Sequence, residues 1–370
     1  MPAEHTTPAL VVWFPSDLSA SAAAGDLYGY FHPSTNQVVV LPSVASMAGS
    51  INLGHGPGSP GLQAHQVEGR WQFSARGRSC EARPYDLEVD LNSRHVGLLE
   101  TAAMRQSGVI ICGCGSVGSL AALDLARSGL GRFLLVDDDI LSIENLCRHQ
   151  CSIADVGRHK VDAVADRIRQ INPYAEVITA SCALEHLDPA VFAEFCEENA
   201  LFLACADSRR ADRYAARLAV ALQQPFLSIG LWERAFAGEL FFWQPGRSLP
   251  CYSCAFAGLD PSLTARPQTA RSTYSTDSAL QELSFQPGLA VDIALVTQVG
   301  LKLALDLLNH GRDGYVPRLL QELTQYTLVC NSNDPRLGGE PAEIFSYPLQ
   351  VTSSIGVSGA GGSKQCACCR

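Results

Sequence analysis

The chain has 370 residues, of which 47% are hydrophobic and 17% charged, with a formal net charge of −10. That balance describes a globular chain, not a disordered one, and the acidic surplus argues against nucleic acid as a partner, which would call for a basic face. There is no apolar run of about eighteen residues free of charge, so no membrane span is expected. The opening MPAEHTTPAL lacks a basic region followed by an apolar core, so no signal peptide and a cytoplasmic location are expected. The fourteen cysteines then read as thiols and metal ligands, not disulfides.

In chain order, residues 1–93 stand apart as an N-terminal region of unassigned fold. LVVWF, LYGYF and QVVVL read as short strands, with P-S-T-N as a turn between the last two. Ala48 to Gly61 holds five glycines and two prolines and reads as a surface loop. Residues 94–370 form the second region. Here GVIIC is a strand, followed by a glycine turn at Gly113, Gly115 and Gly118 and an apolar helix over Leu120 to Leu130. RFLLV, AEVITA, ALFLACA and PFLSIGL are further strands, separated by helices over HKVDAVADRIRQI, PAVFAEFCEE and SRRADRYAARLAVALQQ. ALFLACA is nearly all apolar, as a strand covered on both faces should be. The alternation predicts an α/β fold, a Rossmann-like doubly wound, mostly parallel sheet. Pro287 to Leu308 reads as a long apolar helix, and QYTLVC and AEIFSYPL as closing strands.

The glycine turn places backbone N–H groups and a helix N-terminus, from Ser116, where a phosphate can sit. Asp137 ends the next strand about twenty residues on, where a carboxylate can take ribose hydroxyls or serve as a turn carboxylate. Those features fit any dinucleotide-binding domain. The residues that follow are more particular: Asp139, Asn145, Arg148 and Lys160 all fall within the same half of the fold. Hydride transfer needs no such set of cations and amides, whereas breaking a triphosphate does, because charge builds on the departing phosphates. Arg148 can offer a bidentate fork to phosphate oxygens. Asp139 either orients phosphate-binding groups or caps the segment after the strand. Lys160 starts a helix, where the helix dipole disfavours a cation unless an anion meets it. Asp207 ends the apolar strand, where it can hold Mg²⁺ against phosphates or cap the next helix. Cys251 and Cys254 form one C-x-x-C pair and Cys366 and Cys369 another, together the four thiolates of a closed tetrahedral Zn²⁺ site. Cys368 is either a substitute ligand or a free thiol.

D-x-D, then N-L-x-R, V-G-x-x-K and I-N-P (Ile171 to Pro173) resemble the ThiF/MoeB family and the adenylation domains of ubiquitin-activating enzymes, from about Arg94 to the C-terminus. The resemblance implies an adenylating enzyme that uses ATP and Mg²⁺ to activate the C-terminal carboxylate of a ubiquitin-like or sulfur-carrier protein. It implies a homodimer, with Arg94 reaching across to the phosphates of the partner subunit, and a structural Zn²⁺ joining the two cysteine pairs. The lysine that matches Lys160 contacts the triphosphate in that family. Ubiquitin-activating relatives pass the acyl group to a cysteine in the crossover segment, yet residues 255–286 contain none. Cys330 and Cys368 remain outside the Rossmann half and off the zinc tally, while Cys112, Cys114 and Cys205 read as core. Activating enzymes of bacterial ubiquitin-like conjugation operons, some linked to antiphage defence, carry an extra N-terminal region like this one. That favours a protein-modifying role over thiamin or molybdopterin synthesis, with the first region docking the carrier or a conjugating enzyme. An NAD-dependent oxidoreductase and a non-enzymatic adenylation-fold scaffold are the readings from other classes.

Overall fold

A computed structural model describes residues 9–19, 27–42, 47–256, 288–353 and 366. They pack as two compact units: Met1–Val96 with Arg169–Tyr174, and Gly97–Ile168 with Ala175–Arg370.

The first unit is built on β1 (Val11–Pro15), β2 (Tyr28–His32), β3 (Gln37–Val40), β4 (Ile51–Asn52), β5 (Leu62–Val67), β6 (Arg70–Ala75), β7 (Arg78–Ser79) and β8 (Glu81–Tyr85). A five-stranded sheet runs β4-β2-β3-β1-β8, and β5-β6-β7 forms a second, three-stranded sheet. The strand β1 is parallel to both β3 and β8. Val12, Phe14, Val38, Val40 and Phe73 share one core, so alternate residues of β1 and β3 face inward as a half-buried strand requires. The three strands expected from sequence are present. The other five were not expected, because EARPY and LQAHQV are largely exposed and carry little apolar alternation. The helix α1 (Leu87–Asn92), capped by Asp86, and a 3₁₀ turn at Ser93–His95 follow.

In the second unit, α2 (Thr101–Gln106) leads into β9 (Gly108–Cys112), α3 (Ser116–Arg127), β10 (Arg132–Val136), α4 (Lys160–Ile171), β11 (Glu176–Ala180), α5 (Pro189–Phe195), β12 (Ala200–Ala204), α6 (Arg209–Ala221), β13 (Phe226–Leu231) and β14 (Ala237–Trp243). After these come α7 (Tyr252–Ala255), α8 (Ala290–Leu308), β15 (Tyr326–Cys330), α9 (Pro335–Gly338) and β16 (Val351–Thr352). One eight-stranded sheet has the order β11-β10-β9-β12-β13-β14-β15-β16. Its first five strands are parallel and the last three antiparallel. This is the doubly wound, mostly parallel sheet expected. The strands β9 and β12 are buried along their whole length. From β9 the chain moves outward through β10 and β11, then returns to place β12 on the other side of β9. The crevice at their carboxyl ends is therefore the topological switch point, where ligands bind in such sheets.

Two expectations need correction. The helix after the glycine turn begins at Ser116, not Leu120, because Gly115 serves as its N-cap. AEIFSYPL is not a strand: Glu340–Ile344 is a 3₁₀ turn after Gly339, with Pro341 in its first turn. The strand that pairs with β15 is β16 instead. Cys368, Cys369 and the crossover segment beyond Phe256 lie outside the described residues. Among the described residues, no helix is long and apolar enough to cross a membrane.

Candidate active site

The glycine turn is built by close backbone approach. Gly113 has φ of 96°, and a Cβ there would lie 2.9 Å from the amide nitrogen of Ala206, just past β12. A Cβ on Gly118 would collide with the carbonyl oxygen of Gly113. Gly115 faces open space at the N-terminus of α3, which leaves the first N–H groups of the helix, beginning with Ser116, approachable by an anion.

Cys114, inside that turn, is held from two sides. Its N–H donates to Asp137 Oδ2 at 2.6 Å. Its carbonyl oxygen lies 2.8 Å from His149 Nε2. Because His149 Nδ1 accepts from the Cys151 N–H at 3.1 Å, the ring hydrogen sits on Nε2 and the imidazole is neutral. Burial pushes the His149 pKa down, consistent with that form. Asp137 also accepts from the Asp139 N–H at 2.8 Å. Its turn role is thus realised, with burial raising its pKa against the pull of Lys160 and the two amides. His149 directly follows the N-L-C-R run; its buried bridging role has no sequence signal beyond that adjacency.

The segment after β10 folds back on itself. Leu141 N–H donates to Arg158 O at 2.8 Å and Gly157 N–H to Leu141 O at 2.9 Å. Lys160 N–H donates to Asp139 O at 3.0 Å. This zipper carries the Lys160 ammonium to within 2.5 Å of the Asp139 carboxylate. Lys160 is 8% exposed, so the cation at the start of α4 has the anion its position calls for. Asn145 Oδ1 accepts from the Ser142 N–H at 3.2 Å within a reciprocal capping box.

Asp139, Asn145, Arg148 and Lys160 share the wall of a cavity of about 800 Å³, a size suited to a nucleotide or similar ligand. Arg234, Phe236, Asp292 and Asn331 complete it from another set of elements and were not anticipated. The glycine turn is not part of that wall, but the Cys114–Asp137–Asp139 bonds join it directly to the lining residues. Asp207 lies beside Gly113 through Ala206 and is exposed. The cap of α6 is Ser208, whose hydroxyl accepts from the Ala211 N–H, so the capping alternative for Asp207 does not hold. Arg94 is an exposed residue of the 3₁₀ turn in the first unit.

Cys251 Sγ and Cys366 Sγ are 3.7 Å apart, and with Cys254 they form a trio of sulfurs all within 4.8 Å of one another. Sulfurs about 2.3 Å from one tetrahedral Zn²⁺ would be about 3.8 Å apart, so the donor set fits that ion; Cys369 lies outside the described residues. Tyr252, between the first two cysteines, is buried with its ring 5.1 Å from that of Phe241, and its hydroxyl accepts from Arg209 at 3.2 Å. The turn that carries Cys251 and Cys254 is thereby anchored in the core of the second unit.

The chain is 30% identical over 191 residues to ubiquitin-like modifier-activating enzyme 5 of Bombyx mori, covering 47% of this chain and 46% of that protein. It is 31% identical over 153 residues to molybdopterin-synthase adenylyltransferase of Escherichia coli, covering 41% of this chain and 59% of that protein. The chain thus spans about half the length of these curated relatives. Escherichia coli MccB, solved with MccA-N7isoASN, shares the fold with a TM-score of 0.51 at 18% identity, over 73% of this chain and 68% of that one. The model of the ThiF family matches residues 88–333, more than half of the chain, and the chain belongs to that family.

Proposed function

We propose that the protein is an adenylating enzyme that consumes ATP·Mg²⁺ and activates the C-terminal carboxylate of a ubiquitin-like or sulfur-carrier protein. The observation that carries the reading is the gathering of Lys160, Arg148 and Asn145 around one cavity, with Lys160 linked through Asp139 and Asp137 to a glycine turn at the switch point. A carboxylate oxygen of the carrier attacks the α-phosphorus, the bond to the bridging oxygen of pyrophosphate breaks, and an acyl-adenylate forms. Arg148 and Lys160 stabilise the charge that develops on the phosphate oxygens, and Gly113, Gly115, Ser116 and Gly118 cradle the phosphates. Asp137 takes the ribose with the oxygen lone pairs its two amide donors leave over. Asp207 would hold Mg²⁺, and the cysteines Cys251, Cys254, Cys366 and Cys369 a structural Zn²⁺. A nicotinamide-dependent reaction would leave the paired lysine and Arg148 without a task.

Homodimerisation, with Arg94 completing the phosphate site of the partner subunit, and docking of the carrier or a conjugating enzyme by the first unit are parts of the same proposal. So is a role in bacterial ubiquitin-like conjugation linked to defence, supported by the presence of that added unit. Carrier-dependent exchange of labelled pyrophosphate into ATP tests the reaction: exchange is expected with the cognate carrier, and its absence with every ubiquitin-fold carrier of the host cell would overturn the assignment.

A further inference from the structure

The corner between β13 and β14 carries an unusual backbone. Leu231 pairs with Gly238 across this hairpin, where glycine, asparagine or aspartate would normally supply positive φ. Here Arg234 (φ 52°, ψ 17°) and Ala235 (φ 53°) occupy the left-handed region instead, which a Cβ disfavours. The surroundings hold them there. Ala235 N–H donates to Trp232 O at 2.9 Å, and Phe236 N–H to Glu233 O at 3.2 Å. The Asn331 side-chain amide donates to Ala235 O at 2.5 Å and to Asp292 O at 2.9 Å. The guanidinium of Arg234 donates to Arg336 O at 3.2 Å while lining the same cavity as Lys160 and Arg148. Strain kept in place by so many bonds, at a cavity wall, is a mark of a functional position.

The wall around Arg234 differs from that around Lys160. The lining that holds Phe236, Leu289 and Leu337 also holds Asp292 and Asn331, a mixed apolar and polar setting suited to a peptide end more than to a triphosphate. A carboxylate approaching bound ATP meets like charge, and a cation outside the phosphate-binding set can offset that repulsion. We propose that Arg234 is the residue that binds the C-terminal carboxylate of the acyl partner, through the bidentate fork a guanidinium offers. The proposal rests on the adenylation reading and assigns a task within it: Arg234 sets specificity for a free carboxyl terminus and leaves the phosphates to Arg148 and Lys160.

The test uses the full chain saturated with AMPCPP and Mg²⁺, and a pool of ten-residue peptides randomised at the last three positions, as free acids and as C-terminal amides. Retention is read by equilibrium dialysis and mass spectrometry, and nucleotide affinity by titration. The wild type is expected to retain acids over amides at least about tenfold. Arg234→Gly, which accepts positive φ, is expected to lose that preference while melting no lower than the wild type and binding nucleotide within about twofold. Arg234→Lys should keep part of it. A wild type with no preference for acids, a glycine variant that retains the preference, or a loss that falls on nucleotide affinity would each overturn the proposal, the last by making Arg234 a phosphate ligand. A wild type that selects acids through Arg234 even without AMPCPP, and binds no nucleotide, would remove the adenylation reading and leave the carboxylate role standing.

Discussion

Lys160 and Asp139 meet twice: ammonium to carboxylate at 2.5 Å, and main-chain N–H to main-chain carbonyl at 3.0 Å. The second bond fixes where the first can form, so the cation stands at the cavity wall before any ligand arrives. Preorganised charge of that kind stabilises a transition state without reorganisation at the moment of reaction.

Lys160→Ala is therefore expected to lower carrier-dependent pyrophosphate exchange by about a hundredfold or more. Thermal stability should fall only modestly: Asp139 is 65% exposed at its side chain, so water can replace its partner, and the loss comes from the buried stem of Lys160. Exchange kinetics and a melting curve on the same preparation check both halves. Loss of folding, not of exchange alone, would make the pair a structural one.

His149 links the N-L-C-R segment to the glycine turn through Cys114. His149→Ala strands the buried carbonyl of Cys114 and the N–H of Cys151, and should cost about 1–3 kcal/mol per unmet group, with weaker ATP binding. Burial lowers the pKa of this histidine in the folded state. The folded protein thus binds fewer protons than the unfolded chain over the interval just below the ordinary histidine value. Its stabilising share is full above about pH 6.5 and is lost progressively as pH falls toward the depressed value. Denaturant unfolding of wild type and His149→Ala across pH 5 to 8 should show their difference narrowing toward acid.

Asp155 responds to pH over a different interval. Burial alone would raise its carboxyl, but the Ser152 N–H, the Arg167 guanidinium and the Ser152 hydroxyl outweigh that and bring it to about 2. Such a group stabilises the fold above the ordinary carboxylate value of about 4, and the contribution fades as pH drops from there toward 2. Asp155→Asn should be less stable than the wild type at pH 7 and approach it near pH 2, as followed by circular dichroism during urea unfolding.

The cysteine trio gives a further expectation. Purified protein should contain about one Zn²⁺ per chain, and Cys251→Ser or Cys366→Ser should lower that content sharply. Because Tyr252 ties the turn into the aromatic core with Phe241 and Phe256, chelation should lower the melting temperature. Lys160→Ala should leave zinc content unchanged, as measured by atomic absorption.

Legibility in the sequence followed burial. The strands β9 and β12 are continuous apolar runs because both faces are covered, and their ends could be read to within a residue or two. Gly113 and Gly118 were readable because their lack of a Cβ is itself the signal. In the first unit, β8 was invisible: it pairs along its length with β1 while most of its residues face solvent, so pairing and not apolar pattern makes it a strand. Arg234 and His149 escaped for another reason. Their significance lies in partners far along the chain, Arg336 and Cys114, and no local spacing announces a bond of that range. The pairing of Lys160 with Asp139 stood between these cases: the residues were legible, the zipper that joins them was not.

The most direct measurement of the central claim is a crystal structure of the protein with ATP and Mg²⁺ bound. The triphosphate is expected against the glycine turn, with the Arg148 guanidinium and the Lys160 ammonium on its oxygens and the Lys160–Asp139 contact shared with them. A triphosphate bound with both side chains turned away from it would contradict the account.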